Sequence, residues 1–557
     1  MVSIAKSEKI PDDLPLSEET TSSIWMAILL LIVLAVPLLG GGSATIPLTG
    51  PDEPRYAAIA NEMMQTGDYV TPRLGGKPWF EKPALTYWLM AASYRVVGVN
   101  ELGARLPSIL LALLSVLIVF YTGRRLASLR MGLLAALALE CSIGFLVFSR
   151  AASTDMILTA TVTMALCAFL LSEREQNTVV SIFDSRNLWL AIFYAGLGLA
   201  ILAKGLAGVA LAGGIIGSYL LISRRLKNFI GLHLIWGGLL VLAISAIWYG
   251  PVIARHGYSF IDEFFVQHHF QRFTTNKYHH PGPFYYYVLA IVIAVFPFSF
   301  LLPVSAANVP IAQYLKKGVE ATDRWKLFAF LWMLFPVVFF SFSGSKLPGY
   351  VLPAVPGAAL LLANNLDEIW SAKDRLADWI PFSITAVLMI GGAIALPFLK
   401  KINIELSMRI GIAAIMLTGG LIIGIASFRC SRLALAGSFL TIVFLVPVVA
   451  AAITPQITER ESIKPLALLA RQNRRPTEPI MFLGDLPRIV HGFTFYTDNR
   501  VIYDEEDHGA TLEQVISAKT SSGSLLCVLL EQRLSALSDQ KIEILGRQRG
   551  MVLVRLK

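Results

Sequence analysis

The stretch Gly50-Pro51-Asp52-Glu53-Pro54-Arg55-Tyr56 follows directly on an apolar run long enough to cross a bilayer, at about residues 24–41. Two acids and an arginine stand at a membrane exit, framed by prolines that are expected to stop a helix from continuing. Charge at that depth is costly unless it is solvated, paired or used. If this loop faces outward, the chain is expected to perform chemistry at the outer membrane surface.

Composition supports a membrane setting. Of 557 residues, 55% are hydrophobic and only 15% charged, and the mean hydropathy is +0.63. A soluble chain of this length could not cover so much apolar surface. The net charge of +9 would suit a nucleic-acid binder, but no basic patch with interleaved aromatics appears. Basic residues are read instead as loop residues that fix topology. Cys141, Cys167 and Cys430 fall inside apolar runs and Cys527 lies near the C-terminus, with no metal-binding or disulfide spacing. Residues 1–23 are polar and of mixed charge, unlike a cleaved signal peptide, so the first span is expected to be retained.

About thirteen spans can be read, at 24–41, 104–122, 131–148, 154–172, 188–204, 206–222, 229–254, 284–304, 325–343, 349–364, 378–398, 408–428 and 432–453. With a cytoplasmic N-terminus, the inner loops collect Arg124, Arg125, Arg130, Arg174, Arg186, Arg224, Arg225, Lys227, Lys316, Lys317, Arg324, Lys373, Arg375, Arg429 and Arg432. The outer loops hold mostly single basic residues, with Lys400–Lys401 the exception. The expected organisation is a transmembrane domain over 1–453, with outer loops at 42–103 and 255–283, and an outward α/β domain over 454–557. In that tail, strand-like Glu478–Leu483, Arg500–Tyr503 and Ser524–Leu530 alternate with helix-like Ile463–Gln472 and Thr511–Lys519. It lacks a glycine-rich nucleotide fingerprint and reads as a structural or docking domain.

On this topology the conspicuous polar residues share the outer side: Asp52, Glu53 and Arg55; Glu81 and Lys82; Asp155; Lys204; His268, His269 and Arg272; Lys346 and Tyr350. Ala57–Thr66 and Ala84–Val97 look like amphipathic helices lying in the interface. Each residue has a plain explanation: Lys204 snorkels, Asp155 pairs with Arg150, Glu81 pairs with Lys82, and Glu53 and Arg55 satisfy each other. Jointly they point to an outer-leaflet cavity that binds an anion and holds at least one carboxylate. A lipid headgroup phosphate fits, since cations that stabilise a departing phosphate supply much of the catalysis.

The pattern Pro-Asp-Glu-Pro-Arg-Tyr (51–56), Phe-Glu-Lys-Pro (80–83), Asp155, His-x-x-Arg-Phe (269–273) and Ser-Lys-Leu-Pro (345–348) resembles the polyprenyl-phosphate-dependent glycosyltransferases of the GT-C fold. The likeness is to the 4-amino-4-deoxy-L-arabinose lipid A transferase group, related to protein O-mannosyltransferases, and covers nearly the whole chain. The resemblance implies a membrane all-α GT-C fold with about 13 transmembrane helices and a C-terminal soluble α/β domain. It implies transfer of the aminosugar from undecaprenyl phosphate to lipid A phosphates, at the periplasmic face of the bacterial inner membrane, giving resistance to polymyxin and cationic peptides. The family usually has an acid before the histidine of His-x-x-Arg-Phe; here that place is His268.

In this reading Lys82 and Arg272, assisted by Lys346 and Lys204, hold the donor phosphate. Asp52, with Asp155, is the key carboxylate, as a general base toward a hydroxyl or as an orienting group toward a phosphate acceptor. Glu81 is a salt-bridge partner or, with His269 or His268, a ligand to a divalent ion such as zinc. Arg55, Tyr56, Glu53 and Tyr350 contact substrate. Two rival readings are a protein O-glycosylating enzyme of the same fold and a lipid flippase. No inverted repeat shows in the hydropathy, and the polar residues cluster at one face, which disfavours transport.

Overall fold

The computed structural model describes residues 20–174, 185–226, 231–264, 282–316, 324–371, 376–399, 404–460, 462–476, 478–484, 491–497, 501–502, 510–548 and 550–557. Among them, ten helices are long and apolar enough to cross a membrane. Two bent helix pairs, Leu129–Glu140 with Ile143–Ser149 at 65° and Tyr286–Val295 with Ser299–Tyr314 at 115°, bring the number to twelve if each pair is counted as one span. Ala207–Ile222 is apolar but shorter. Every apolar run read from the sequence falls on one of these, so the chain is a multi-pass membrane protein. The first ten helices are α1 (Thr21–Leu39), α2 (Asp52–Thr66), α3 (Leu85–Val97), α4 (Glu101–Leu126), α5 (Leu129–Glu140), α6 (Ile143–Ser149), α7 (Thr154–Arg174), α8 (Ser185–Lys204), α9 (Ala207–Ile222) and α10 (Leu234–His256).

Burial sorts the spans. In α7 and Pro348–Ser371, 89% of the most apolar stretch is buried, against 28% in α1 and in Leu234–Phe264. The first two form the centre of the bundle and the latter two face lipid. The breaks in the bent spans meet each other: Ile143 N donates to Phe296 O and Ser142 Oγ to Ala138 O. Backbone groups freed within the bundle are thereby satisfied by protein. Local signals set the ends of α4. Asn100 caps it by accepting from Gly103 N, and Arg124 and Arg125 occupy its last turn, where cations complement the helix dipole.

The opening motif behaves differently from its sequence expectation. The prolines do not stop a helix; they start one. Pro51 is the N-cap of α2, and Asp52, Glu53 and Pro54 form its first turn. First-turn N–H groups have no intrahelical partner, so proline costs nothing there, and acids suit the positive end of the dipole. Nor does α2 lie open in the interface. Glu53 through Met63 are all buried, with α3 on one side and the helix His491–Tyr496 on the other.

The C-terminal part holds a five-stranded sheet in the order β4-β3-β5-β7-β6. The strands are β3 (Ile480–Leu483), β4 (Val501–Ile502), β5 (Leu525–Leu530), β6 (Ile542–Gln548) and β7 (Met551–Leu556), following the short β1–β2 pair (Arg73–Leu74, Lys77–Pro78) of the first loop. β4, β3 and β5 are parallel, whereas β7 is antiparallel to β5 and β6. The hairpin β6–β7 extends the sheet beyond the strands legible in sequence. Helices Lys464–Asn473 and Leu512–Ser522 lie close to the expected segments.

Candidate active site

The site is built from a buried clasp outward. Glu53 Oε1 accepts from Ala152 N at 2.7 Å and Arg105 Nε at 3.0 Å. Its Oε2 accepts from Thr49 N at 2.9 Å, Thr49 Oγ1 at 3.1 Å and Arg105 Nη2 at 2.8 Å. Arg105 also donates to the carbonyls of Ser43, Ile46 and Pro47. Burial alone would raise the Glu53 pKa, but Arg105 and the amides of Ala152 and Thr49 hold it below the ordinary glutamate value. The clasp joins four pieces of chain: the exit of α1, the first turn of α2, the start of α4 and the segment leading into α7. Glu53 therefore pairs with Arg105, not with Arg55, and lies behind the cavity rather than in it.

The first turn of α2 then presents Asp52, whose side chain is 58% exposed. Arg55 Nη2 bridges Asp52 Oδ1 at 2.5 Å and Glu81 Oε2 at 3.0 Å. Glu81 Oε1 accepts from Lys82 Nζ at 2.8 Å. The guanidinium lies 5.1 Å from the Trp79 ring centre and 5.5 Å from that of Tyr56. Burial works against its charge, yet Glu81 and Asp52 raise the Arg55 pKa above the ordinary arginine value. Burial pushes the Tyr56 and Tyr87 hydroxyls upward, with Asp52 and Glu81 adding to it, so both remain protonated.

The opposite wall comes from α7, α8 and the segment after the helix Arg324–Ser341. Asp155, in the first turn of α7, forms an ion pair with Lys204, the last residue of α8. Arg150, its partner in the sequence reading, donates instead to Pro37 O. The Lys204 ammonium is 4.8 Å from the Tyr350 ring centre, close enough for cation–π attraction. Gly349 is required here, since a Cβ on it would lie 2.4 Å from Asp155 Oδ2. One cavity is lined by Asp52, Tyr56, Glu81, Lys82, Asp155, Lys204 and Tyr350, together with Pro83, Thr154, Leu158, Ala207, Phe340, Ser343 and Leu347. Carboxylates and cations distant in sequence thus share one enclosure.

Lys346 is turned away from that cavity. Its Nζ donates to the carbonyls of Phe340, Ser341 and Ser343 at 3.2, 2.7 and 2.7 Å, which closes the end of the helix Arg324–Ser341. Burial lowers its pKa. Arg272, His268 and His269 lie outside the described residues. Among those described, no group of three His, Cys, Asp or Glu could hold a metal. Both Glu81 oxygens contact cations, and the histidines grouped with Glu81 in the sequence reading lie outside the described residues.

With this geometry in place, similarity to known proteins becomes informative. Residues 81–249 match the family model described as dolichyl-phosphate-mannose-protein mannosyltransferase, a stretch that includes Glu81, Lys82, Asp155 and Lys204. An undecaprenyl phosphate-alpha-4-amino-4-deoxy-L-arabinose arabinosyl transferase of Serratia proteamaculans is 30% identical over 65% of this chain and 62% of its own length. A second such transferase, from Pseudomonas fluorescens, is 31% identical over 66% of this chain and 60% of its own. The chain thus spans about three fifths of these relatives. The crystal structure of ArnT from Cupriavidus metallidurans bound to undecaprenyl phosphate superposes with a TM-score of 0.79 at 23% identity, over 96% of this chain and 98% of that one. The chain has the GT-C fold. Within the GT-C fold, the segment between α1 and α4, the mouth of α7 and the end of α8 supply cavity walls described above.

Sequence reading missed Arg105, Thr49 and Ala152, which fix the clasp. Arg105 left a signal, because an arginine one turn into an apolar span demands a partner. Ala152 left none, since it acts through a backbone amide that any residue carries, and Thr49, which adds its hydroxyl to its amide, carries no charge or motif that marks it.

Proposed function

We propose that this protein transfers 4-amino-4-deoxy-L-arabinose from undecaprenyl phosphate to lipid A phosphate groups. The transfer occurs at the periplasmic face of the inner membrane and confers resistance to polymyxin and cationic peptides. The observation that carries this reading is the single cavity shared by Asp52, Glu81, Lys82, Asp155 and Lys204, set in a fold shared with a protein crystallised with undecaprenyl phosphate. The relatives' names supply the sugar.

In the reaction, an acceptor phosphate oxygen attacks the anomeric carbon. The bond from that carbon to the donor phosphate oxygen breaks, and its electron pair leaves with undecaprenyl phosphate. Lys82 and Lys204 face the cavity and neutralise the departing phosphate, with Arg272 assigned to the same task from sequence. A lipid A phosphate is already largely ionised near neutral pH, so no base is needed. Asp52, exposed into the cavity and held by Arg55, orients the sugar through its amine or hydroxyls. Tyr56 and Tyr350 line the sugar's surroundings, and Lys346 holds the adjoining backbone.

Lipid A mass spectra from cells with and without the gene test this. A pentosamine-sized gain that depends on Lys82 supports it, and normal modification in a well-inserted Lys82→Ala strain refutes the phosphate assignment. The mannosyltransferase family match over residues 81–249 favours one second reading, glycosylation of protein. Unchanged lipid A with altered glycoproteins selects it.

A further inference from the structure

The helix His491–Tyr496 belongs to the sheet-bearing C-terminal part, yet it is buried on two sides. Phe493 meets Phe482 of β3 edge-on at 5.5 Å between ring centres. From the other face, Phe495 packs against Tyr94 of α3 at 6.4 Å. Gly492 lies so close to α2 that a Cβ on it would sit 3.4 Å from Pro54 Cβ and 2.8 Å from Ile463 Cγ2. Pro54 stands between Glu53 and Arg55, within the turn that presents Asp52.

At the end of this helix, the buried Tyr496 hydroxyl accepts from Leu48 N at 3.1 Å and donates to Glu101 Oε1 at 3.1 Å. Lys464 Nζ donates to the same oxygen at 2.5 Å and lies 5.6 Å from the Tyr496 ring centre. Leu48 precedes Thr49, whose amide and hydroxyl both bind Glu53. A continuous chain of contacts therefore runs from the C-terminal part through Leu48, Thr49 and Glu53 to Ala152, three residues before Asp155. Neither Tyr496 nor Lys464 is among the described residues that line the cavity.

We propose that the C-terminal part sets the geometry of the cavity, with Tyr496 and Lys464 as positioning residues for the turn that carries Asp52. The inference rests on the glycosyl-transfer reading for its activity readout only. The hydroxyl of Tyr496 is the central element, because it satisfies a loop amide and the first-turn carboxylate of α4 together. Losing it frees the Leu48–Arg55 segment without emptying the packing that the ring provides.

The test uses full-length protein in lipid nanodiscs, as wild type, Tyr496→Phe, Lys464→Gln and Lys464→Arg. Amide hydrogen exchange over residues 48–56 is expected to rise about three- to tenfold in Tyr496→Phe and less in Lys464→Gln, with span amides unchanged. Lys464→Arg should restore the wild-type pattern. Sugar transfer should lose about tenfold in kcat with donor KM within about twofold, since displaced groups slow chemistry more than binding. A merely structural role would lower thermal stability without that split. Unchanged exchange over 48–56 in both Tyr496→Phe and Lys464→Gln overturns the proposal, as does raised exchange with wild-type kcat. A wild-type protein that transfers no sugar refutes the activity reading, while the exchange data still judge the positioning role.

Discussion

Glu53→Gln is the most informative single change, because its cost can be worked from the hydrogen bonds. The carboxylate accepts five: two from Arg105, one from Ala152 N, and two from the amide and hydroxyl of Thr49. Glutamine keeps the shape but turns one oxygen into a donor. Whichever way the amide is oriented, at least two buried donors lose their acceptor and face an N–H group instead. Arg105, 3% exposed, is left without its counter-charge. Breaking a buried ion pair by removing one partner costs about 3–5 kcal/mol, a large share of the roughly 5–15 kcal/mol by which folded proteins are stable. Unfolding in mixed micelles of denaturing detergent, followed by tryptophan fluorescence, measures it. Arg105→Met and the double variant complete a cycle, with an expected coupling of about 1.5–3 kcal/mol. A Glu53→Gln protein within about 1 kcal/mol of wild type, or additive single changes, would refute the clasp as the site's foundation.

Other consequences follow from the same geometry. The Glu53 pKa is held below its ordinary value of 4.5, so its contribution is present above that pH and fades as pH falls through the lower folded value; Glu53→Gln should flatten that acid-side loss in the same fluorescence assay. Gly349→Ala drives a methyl group into the Asp155 carboxylate and should cut transfer at least about tenfold with donor KM altered, whereas near-normal kinetics would show that the Asp155–Lys204 pair can shift freely. Glu140 is fully buried, and among the described residues neither carboxylate oxygen has a hydrogen-bond partner, so Glu140→Leu should leave transfer intact and stabilise the protein by about 1–3 kcal/mol; a loss of stability would reveal a partner for it.

Apolar run length sufficed to locate the spans, because a bilayer demands long apolar helices, and basic-residue counting set the expected sides of the loops. They also placed Asp52, Glu81, Lys82, Asp155 and Lys204 on one side, and these five do line one cavity. Sequence could not decide pairing. Asp155 prefers Lys204 over the nearer Arg150, Glu53 prefers Arg105 over Arg55, and Lys346 turns to carbonyls, since each choice depends on where distant helix ends meet. Nor could it show that the prolines at 51 and 54 open a helix, because a helix start and a helix stop share the same residue. The burial of α2 beneath the helix His491–Tyr496 lay furthest from reach. It joins residues more than 400 positions apart, through a ring, a hydroxyl and a glycine contact that leave no periodic trace.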